Sequence, residues 1–405
     1  MVREPAPRRW RLLPLAAGLL FAALALDAAR TETPTIDEFA HVAVAHALLD
    51  QGRLDLYSKS PPLGRALLAL PSLLDARVKV PVVRESPFGW GPWRYGERFM
   101  RANAQHYFEI FTRSRAVVVL LTLLTAGLLF AWSRELFGER GAALATSLFL
   151  LQPSVLAHGH LATLDMASTA SIFASAWMLR WACARASWGR LVPAGAVWGL
   201  ALLVKFTAVL LVPAYLALVA WHARRPGRAL AQFALLFGVA IATVNLGMGF
   251  QGSFARLGDY RFSSSFGRTL KSWLPDATPV PLPVHYVRGF DAQKVDVEHG
   301  EFPSYSLGHW SQDGVWYYEI LALLLKTPLP MLALLAALPF ALWRRPPPRR
   351  ELAFLLLPLL TLGLLLTAFN ALNVGIRYLL PLYPFAFVLL AGLFDGADAK
   401  RARVW

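Results

Sequence analysis

The 405-residue chain is 56% hydrophobic and only 16% charged, with a formal net charge of +15 and a single cysteine. Soluble domains carry about 25% charged residues and lack repeated apolar runs of roughly 20 residues, the length that crosses a ~30 Å hydrocarbon core. Soluble classes are therefore excluded in favour of an all-α polytopic membrane protein, with a mean hydropathy of +0.46. The basic excess lies mostly between the apolar runs, which fits membrane lipid headgroups and a positive-inside bias rather than nucleic acid. A lone Cys183 rules out an intrachain disulfide and reads as a packing residue.

The first apolar run, about 12–29, follows Arg3, Arg8, Arg9 and Arg11 and ends in small residues, as a signal peptide would. It is longer than a usual signal core and other spans follow, so it reads as a retained signal-anchor helix. Further runs fall at about 114–132, 141–157, 164–183, 191–221, 229–249, 315–343, 351–369 and 376–394. The short basic connections are expected on the cytoplasmic side. They are Arg8, Arg9 and Arg11; Arg134 and Arg140; Arg185 and Arg190; Arg224, Arg225 and Arg228; Arg344, Arg345, Arg349 and Arg350; and Lys400, Arg401 and Arg403. Because basic clusters flank 191–221 at both ends, parity predicts two short spans that meet near Lys205, which snorkels at the outer face. The expectation is about ten spans in one domain over 1–405, with both termini cytoplasmic and no appended soluble domain.

Two long segments, about 30–113 and 250–314, then fall on the outer side. The first sets Trp90, Trp93, Tyr95, Phe99, Tyr107 and Phe108 among Arg and Glu, a mixture expected of interfacial helices. The second, rich in Pro, Tyr and Trp, should form an ordered cap, since disordered segments are poor in aromatics.

Chemistry-bearing residues collect on that side. Asp37 and Glu38 follow the first span, where ionisable groups are costly and so mark a candidate site. Thr35-x-x-Glu38 is also a capping box, which accounts for Glu38 alone. His41, one helical turn on, either orients Asp37 or simply packs. Asp165 either acts in the site or favours the dipole at the start of its helix, with Thr163 as the cap. His158 and His160 are of metal-ligand type without an established spacing, which leaves a divalent metal open and no cofactor certain. Lys59, Arg65, Lys326 and Arg377 supply cations, and Pro328 and Pro330 should open the helix beside Lys326. Tyr378 and the Trp316-Tyr317-Tyr318 group suit an interfacial belt.

Taken together, the Asp37-Glu38 pair, the Pro61-Pro62-Leu63 loop, His158 to Asp165, Trp316-Tyr317-Tyr318 with Lys326-Thr-Pro-Leu-Pro330, and Arg377-Tyr-Leu-Leu-Pro381 resemble the GT-C glycosyltransferases. The similarity is closest to the protein O-mannosyltransferase and lipid A aminoarabinose transferase group, and it covers nearly the whole chain. It implies a GT-C-type bundle in the inner (plasma) membrane that moves a sugar from a polyprenyl-phosphate donor to a lipid, glycan or protein acceptor on the periplasmic side, with inversion. By the same resemblance Asp37 is the general base, with Glu38 beside it, and Asp165 is the second acidic residue. Lys59, Arg65, Lys326 and Arg377 would face the carrier phosphate, while His41, His158, His160 and Tyr378 are possible orienting or substrate groups. Two other classes compete: a lipid-linked sugar transporter or flippase, and a non-catalytic subunit of an envelope assembly complex. Transporters set charges near the midplane within inverted repeats, and no repeat is visible here.

Overall fold

The computed structural model describes residues 9–86, 89–185, 187–223, 225–300, 302–344 and 346–394. The expected basic positions Arg8, Arg224, Arg345, Lys400, Arg401 and Arg403 lie outside these, as do both termini. Sixteen α-helices, five 3-10 segments and one short hairpin make up the regular structure of the described residues.

Helix α1 (Arg9–Thr31) leads into α2 (Ile36–Gln51), α3 (Pro62–Ala69) and α4 (Gly91–Ala102), which pack on one another at one face of the bundle. In α4, Tyr95 and Phe99 are fully buried, and Phe99 meets the His46 ring of α2 at 5.0 Å. The aromatic stripe expected to rest in the interface is thus partly spent on protein, while Trp90 and Phe108 stay exposed.

Helix α5 (Tyr107–Leu150) holds one of the expected runs and most of the next, and the chain reverses inside it. Gly138 sits at φ +79° and ψ 178°, a region almost closed to residues with a Cβ. A Cβ built on Gly18 of α1 would lie 3.8 Å from Leu123 and 4.0 Å from Leu150; a continuous helix would hold those two leucines about 40 Å apart.

A second reversal follows α6 (Pro153–His158), α7 (Asp165–Ala184) and α8 (Trp188–Val204). Lys205 takes an extended conformation, a 3-10 segment (Phe206–Leu211) follows, and α9 (Val212–Ala223) returns. Trp198 donates to the Ala208 carbonyl at 3.1 Å and its ring meets Tyr215 at 5.0 Å, whereas a straight helix would separate Trp198 and Tyr215 by about 25 Å. The break expected near Lys205 is there.

Helix α10 (Pro226–Gly247) packs along α8 and α9. The second long segment contains α11 (Ser265–Trp273), α12 (Val284–His299) and the hairpin β1 (Ser304–Ser306) with β2 (His309–Ser311), pairing Tyr305 with Trp310. It is an ordered cap that reaches the first: Lys59 pairs with Asp296 of α12 at 2.8 Å. Helix α13 (Tyr318–Lys326) and α14 (Leu329–Arg344) bend by 118° across Thr327 and Pro328, and α15 (Arg349–Ala368) leads to a 3-10 segment (Ile376–Leu382) and α16 (Tyr383–Leu390).

Among the described residues six helices are long and apolar enough to cross a membrane, or seven if α13 and α14 form one broken span. That count is below the expected ten or so because α5 carries one run and most of the next, α8 has only 17 residues, and Asp165, Arg180 and several serines dilute α7. The chain is a multi-pass membrane protein. At the end of the bundle away from the caps, Arg11 pairs with Glu139 at 2.6 Å, and Arg180 pairs with Glu135 at 2.7 Å and Glu351 at 2.5 Å.

Candidate active site

Glu38 is fully buried, and its carboxylate accepts four hydrogen bonds. Arg115 donates at 2.7 and 2.8 Å, the Thr35 N–H at 2.8 Å and the Ala162 N–H at 2.7 Å. The reach back to Thr35 is the capping interaction expected from sequence. With every lone pair engaged, Glu38 has no room to act as a base, and the catalytic role first set beside Asp37 passes to a structural one. Arg115 also donates to the carbonyls of Ala29, Glu32 and Thr33, closing the open C-terminus of α1. This buried node therefore ties the α1–α2 corner to the 158–165 loop. Sequence reasoning missed Arg115, although a charge at the head of an apolar run is itself a signal of a partner.

That node aims Asp37, the neighbouring residue, at a different surface. Asp37 accepts a hydrogen bond from Arg377, and both side chains remain about a quarter exposed. From Arg377 the contacts continue through its neighbour Tyr378, whose ring lies 4.7 Å from Lys205 Nζ, to Asp165, which Lys205 contacts at 2.7 Å. Asp37, Arg377, Tyr378, Lys205 and Asp165 thus form one connected row. Thr163 does not cap α7; its hydroxyl donates to Asp165 at 3.2 Å. Lys205, expected only as a snorkelling residue, is the counter-ion of that buried carboxylate.

Around this row the other expected residues divide. His41 is buried against Tyr57 at 5.0 Å, between the charges of Asp37, Arg65, Asp165 and Lys205; burial outweighs the carboxylates and pushes its imidazole down to about 4. His158 lies within the fields of Asp165, Arg377 and Lys326, and burial lowers its pKa as well. His160 points elsewhere, to Glu32 at 3.0 Å and the Leu156 carbonyl at 3.1 Å. Arg65 is 2% exposed and donates to the carbonyls of Tyr57 and Ser60 at 2.8 and 2.9 Å, so it braces the 57–60 loop from within. Lys59 is engaged by Asp296 in the second cap. Exposed Lys326 ends α13, and Gly375, at φ +90°, brings the turn ahead of Arg377 close to its amine. Among the described residues no group of three His, Cys, Asp or Glu side chains could hold a metal ion.

The crystal structure of ArnT from Cupriavidus metallidurans bound to undecaprenyl phosphate superposes with a TM-score of 0.60, at 18% identity, over 96% of this chain. The fold is that of the GT-C glycosyltransferases. The same GT-C fold relates the chain to the Archaeoglobus fulgidus oligosaccharyltransferase tethered with an acceptor peptide, at a TM-score of 0.53 and 12% identity over 94% of this chain and 49% of that one. The family model for dolichyl-phosphate-mannose-protein mannosyltransferases matches residues 109–247, roughly a third of the chain. A comparison with curated protein sequences finds no match. The chain spans 60% of the length of the ArnT it resembles.

Proposed function

We propose that this GT-C protein transfers a sugar from a polyprenyl-phosphate carrier to an acceptor on the outer, periplasmic side of the inner membrane, with inversion at the anomeric carbon. The observation that carries the reading is the half-buried Asp37–Arg377 pair, which sets a carboxylate beside a guanidinium with both side chains still about a quarter exposed. An acceptor hydroxyl must lose a proton as its oxygen attacks, and the Asp37 carboxylate takes it when held within hydrogen-bond reach. As the anomeric carbon–oxygen bond breaks, negative charge grows on the departing lipid phosphate. Arg377 and Lys326 are the cations suited to stabilise it, Arg377 with a planar fork that matches phosphate oxygens. The acceptor oxygen and the leaving phosphate occupy opposite sides of one carbon, which is why a single displacement inverts it. Asp165 and Lys205 hold the floor of the site, and Lys59 and Arg65 shape the loop above it.

The likeness to a structure holding undecaprenyl phosphate supports the carrier class. The likeness to one tethered with an acceptor peptide supports an acceptor as the second substrate. Purified protein supplied with labelled polyprenyl-phosphate sugars and a panel of lipid, glycan and peptide acceptors should release free polyprenyl phosphate. Asp37→Asn should stop release while carrier binding persists, and Arg377→Ala should weaken carrier binding. Release that survives Asp37→Asn unchanged would end the reading. Vectorial movement of intact carrier across a vesicle, with no sugar transferred, would favour a flippase instead.

A further inference from the structure

Glu319 lies in the first turn of α13, is 1% exposed, and among the described residues neither of its carboxylate oxygens has a hydrogen-bond partner. A carboxylate in a first helical turn ordinarily favours the dipole and the free N–H groups there, but Glu319 accepts none of them. A buried carboxyl with neither oxygen hydrogen-bonded is rare in native structures and calls for a partner. The charges acting on Glu319 are Arg377 and Lys326. Lys326 is seven residues further along α13, two turns and so on the same face, and α13 packs against the 3-10 segment that carries Arg377. Among the described residues neither cation forms an ion pair with Glu319, whose oxygens stay open to another partner. Arg377 itself keeps a buried Nε without a partner.

We infer that Glu319 recognises the sugar of the donor, its carboxyl hydrogen-bonding to sugar hydroxyl or amino groups while Arg377 and Lys326 hold the phosphate. This rests on the carrier reading above. A buried carboxyl offers oxygen atoms that accept hydrogen bonds, so it suits a ligand that presents hydroxyl or amino donors. A sugar joined to that phosphate through one oxygen presents its donors to whatever lies beside the cations. Glu319 thus becomes a specificity residue for the sugar, separate from the base Asp37.

The test compares binding of bare polyprenyl phosphate with that of the polyprenyl-phosphate sugar the wild type turns over, chosen from a panel of hexoses and aminopentoses. In Glu319→Ala the sugar-loaded carrier should bind on the order of 10- to 100-fold more weakly, because a site built around hydrogen bonds loses its partner, with bare carrier unchanged. Glu319→Gln, which keeps the shape and one acceptor, should fall between and serves as the variant if alanine fails to fold. An equal loss for both ligands would mean that Glu319 only orders the cations and would overturn the inference, as would no loss for either. If wild type binds neither ligand, the carrier reading itself fails and this inference with it.

Discussion

Arg377 donates to Asp37 across 340 residues of sequence, so the last spanning segment completes a site begun by the first cap. Both side chains are about a quarter exposed, and asparagine keeps an oxygen that accepts from Arg377. Asp37→Asn should therefore leave the unfolding midpoint nearly unchanged. Turnover of the labelled carrier should fall by roughly 10²- to 10⁴-fold, the range for loss of a positioned base.

Glu38 should behave in the opposite way. Its pair with Arg115 is sealed from water on both sides, and removing one partner strands a buried charge. Glu38→Ala should cost about 3–5 kcal/mol, read as a large drop in the thermal midpoint of the detergent-solubilised protein. Glu38→Leu combined with Arg115→Met should lose less than the two single changes added together, because the second substitution removes the stranded group.

The pH dependence of stability should carry a signature of His41. Its folded pKa, about 4, lies below the unfolded value of 6.5, because burial disfavours the imidazolium more than Asp37 and Asp165 favour it. The unfolded chain then binds the extra proton between those values, so the stability His41 contributes is complete above pH 6.5 and is lost as pH falls through 6.5 towards 4. Midpoints measured from pH 7 to 4 should fall less steeply in His41→Gln than in wild type.

Gly138 offers a test of the reversal inside α5. Nothing lies within 4 Å of a Cβ built there, so Gly138→Ala meets no clash and pays only for φ +79°. The expected cost is about 1–3 kcal/mol, seen as a lowered midpoint with activity retained by the folded fraction. A neutral or stabilising effect would mean that 107–150 runs straight.

Much of this architecture was legible because it depends on local pattern. Apolar runs of spanning length, the basic connections, the break at Lys205 and the opening at Pro328 all follow from residue type within a window of one helix. The capping role of Glu38 was legible for the same reason, since Thr35 and Glu38 are three residues apart. Arg65 misled because its charge suggested phosphate, while its burial against the carbonyls of Tyr57 and Ser60 depends on how the 57–60 loop closes over it.

What sequence by itself determined was the class of the protein, that it crosses a membrane several times, and an inventory of ionisable groups too costly to keep without a purpose. Only the tertiary structure decided which of them meet. Glu38 finds Arg115, Asp165 finds Lys205, Asp37 finds Arg377, and Glu319 finds no partner among the described residues. The reason is that a charge near a bilayer demands a partner without specifying which one. That choice depends on the approach of helices far apart in the chain, and no local spacing encodes it.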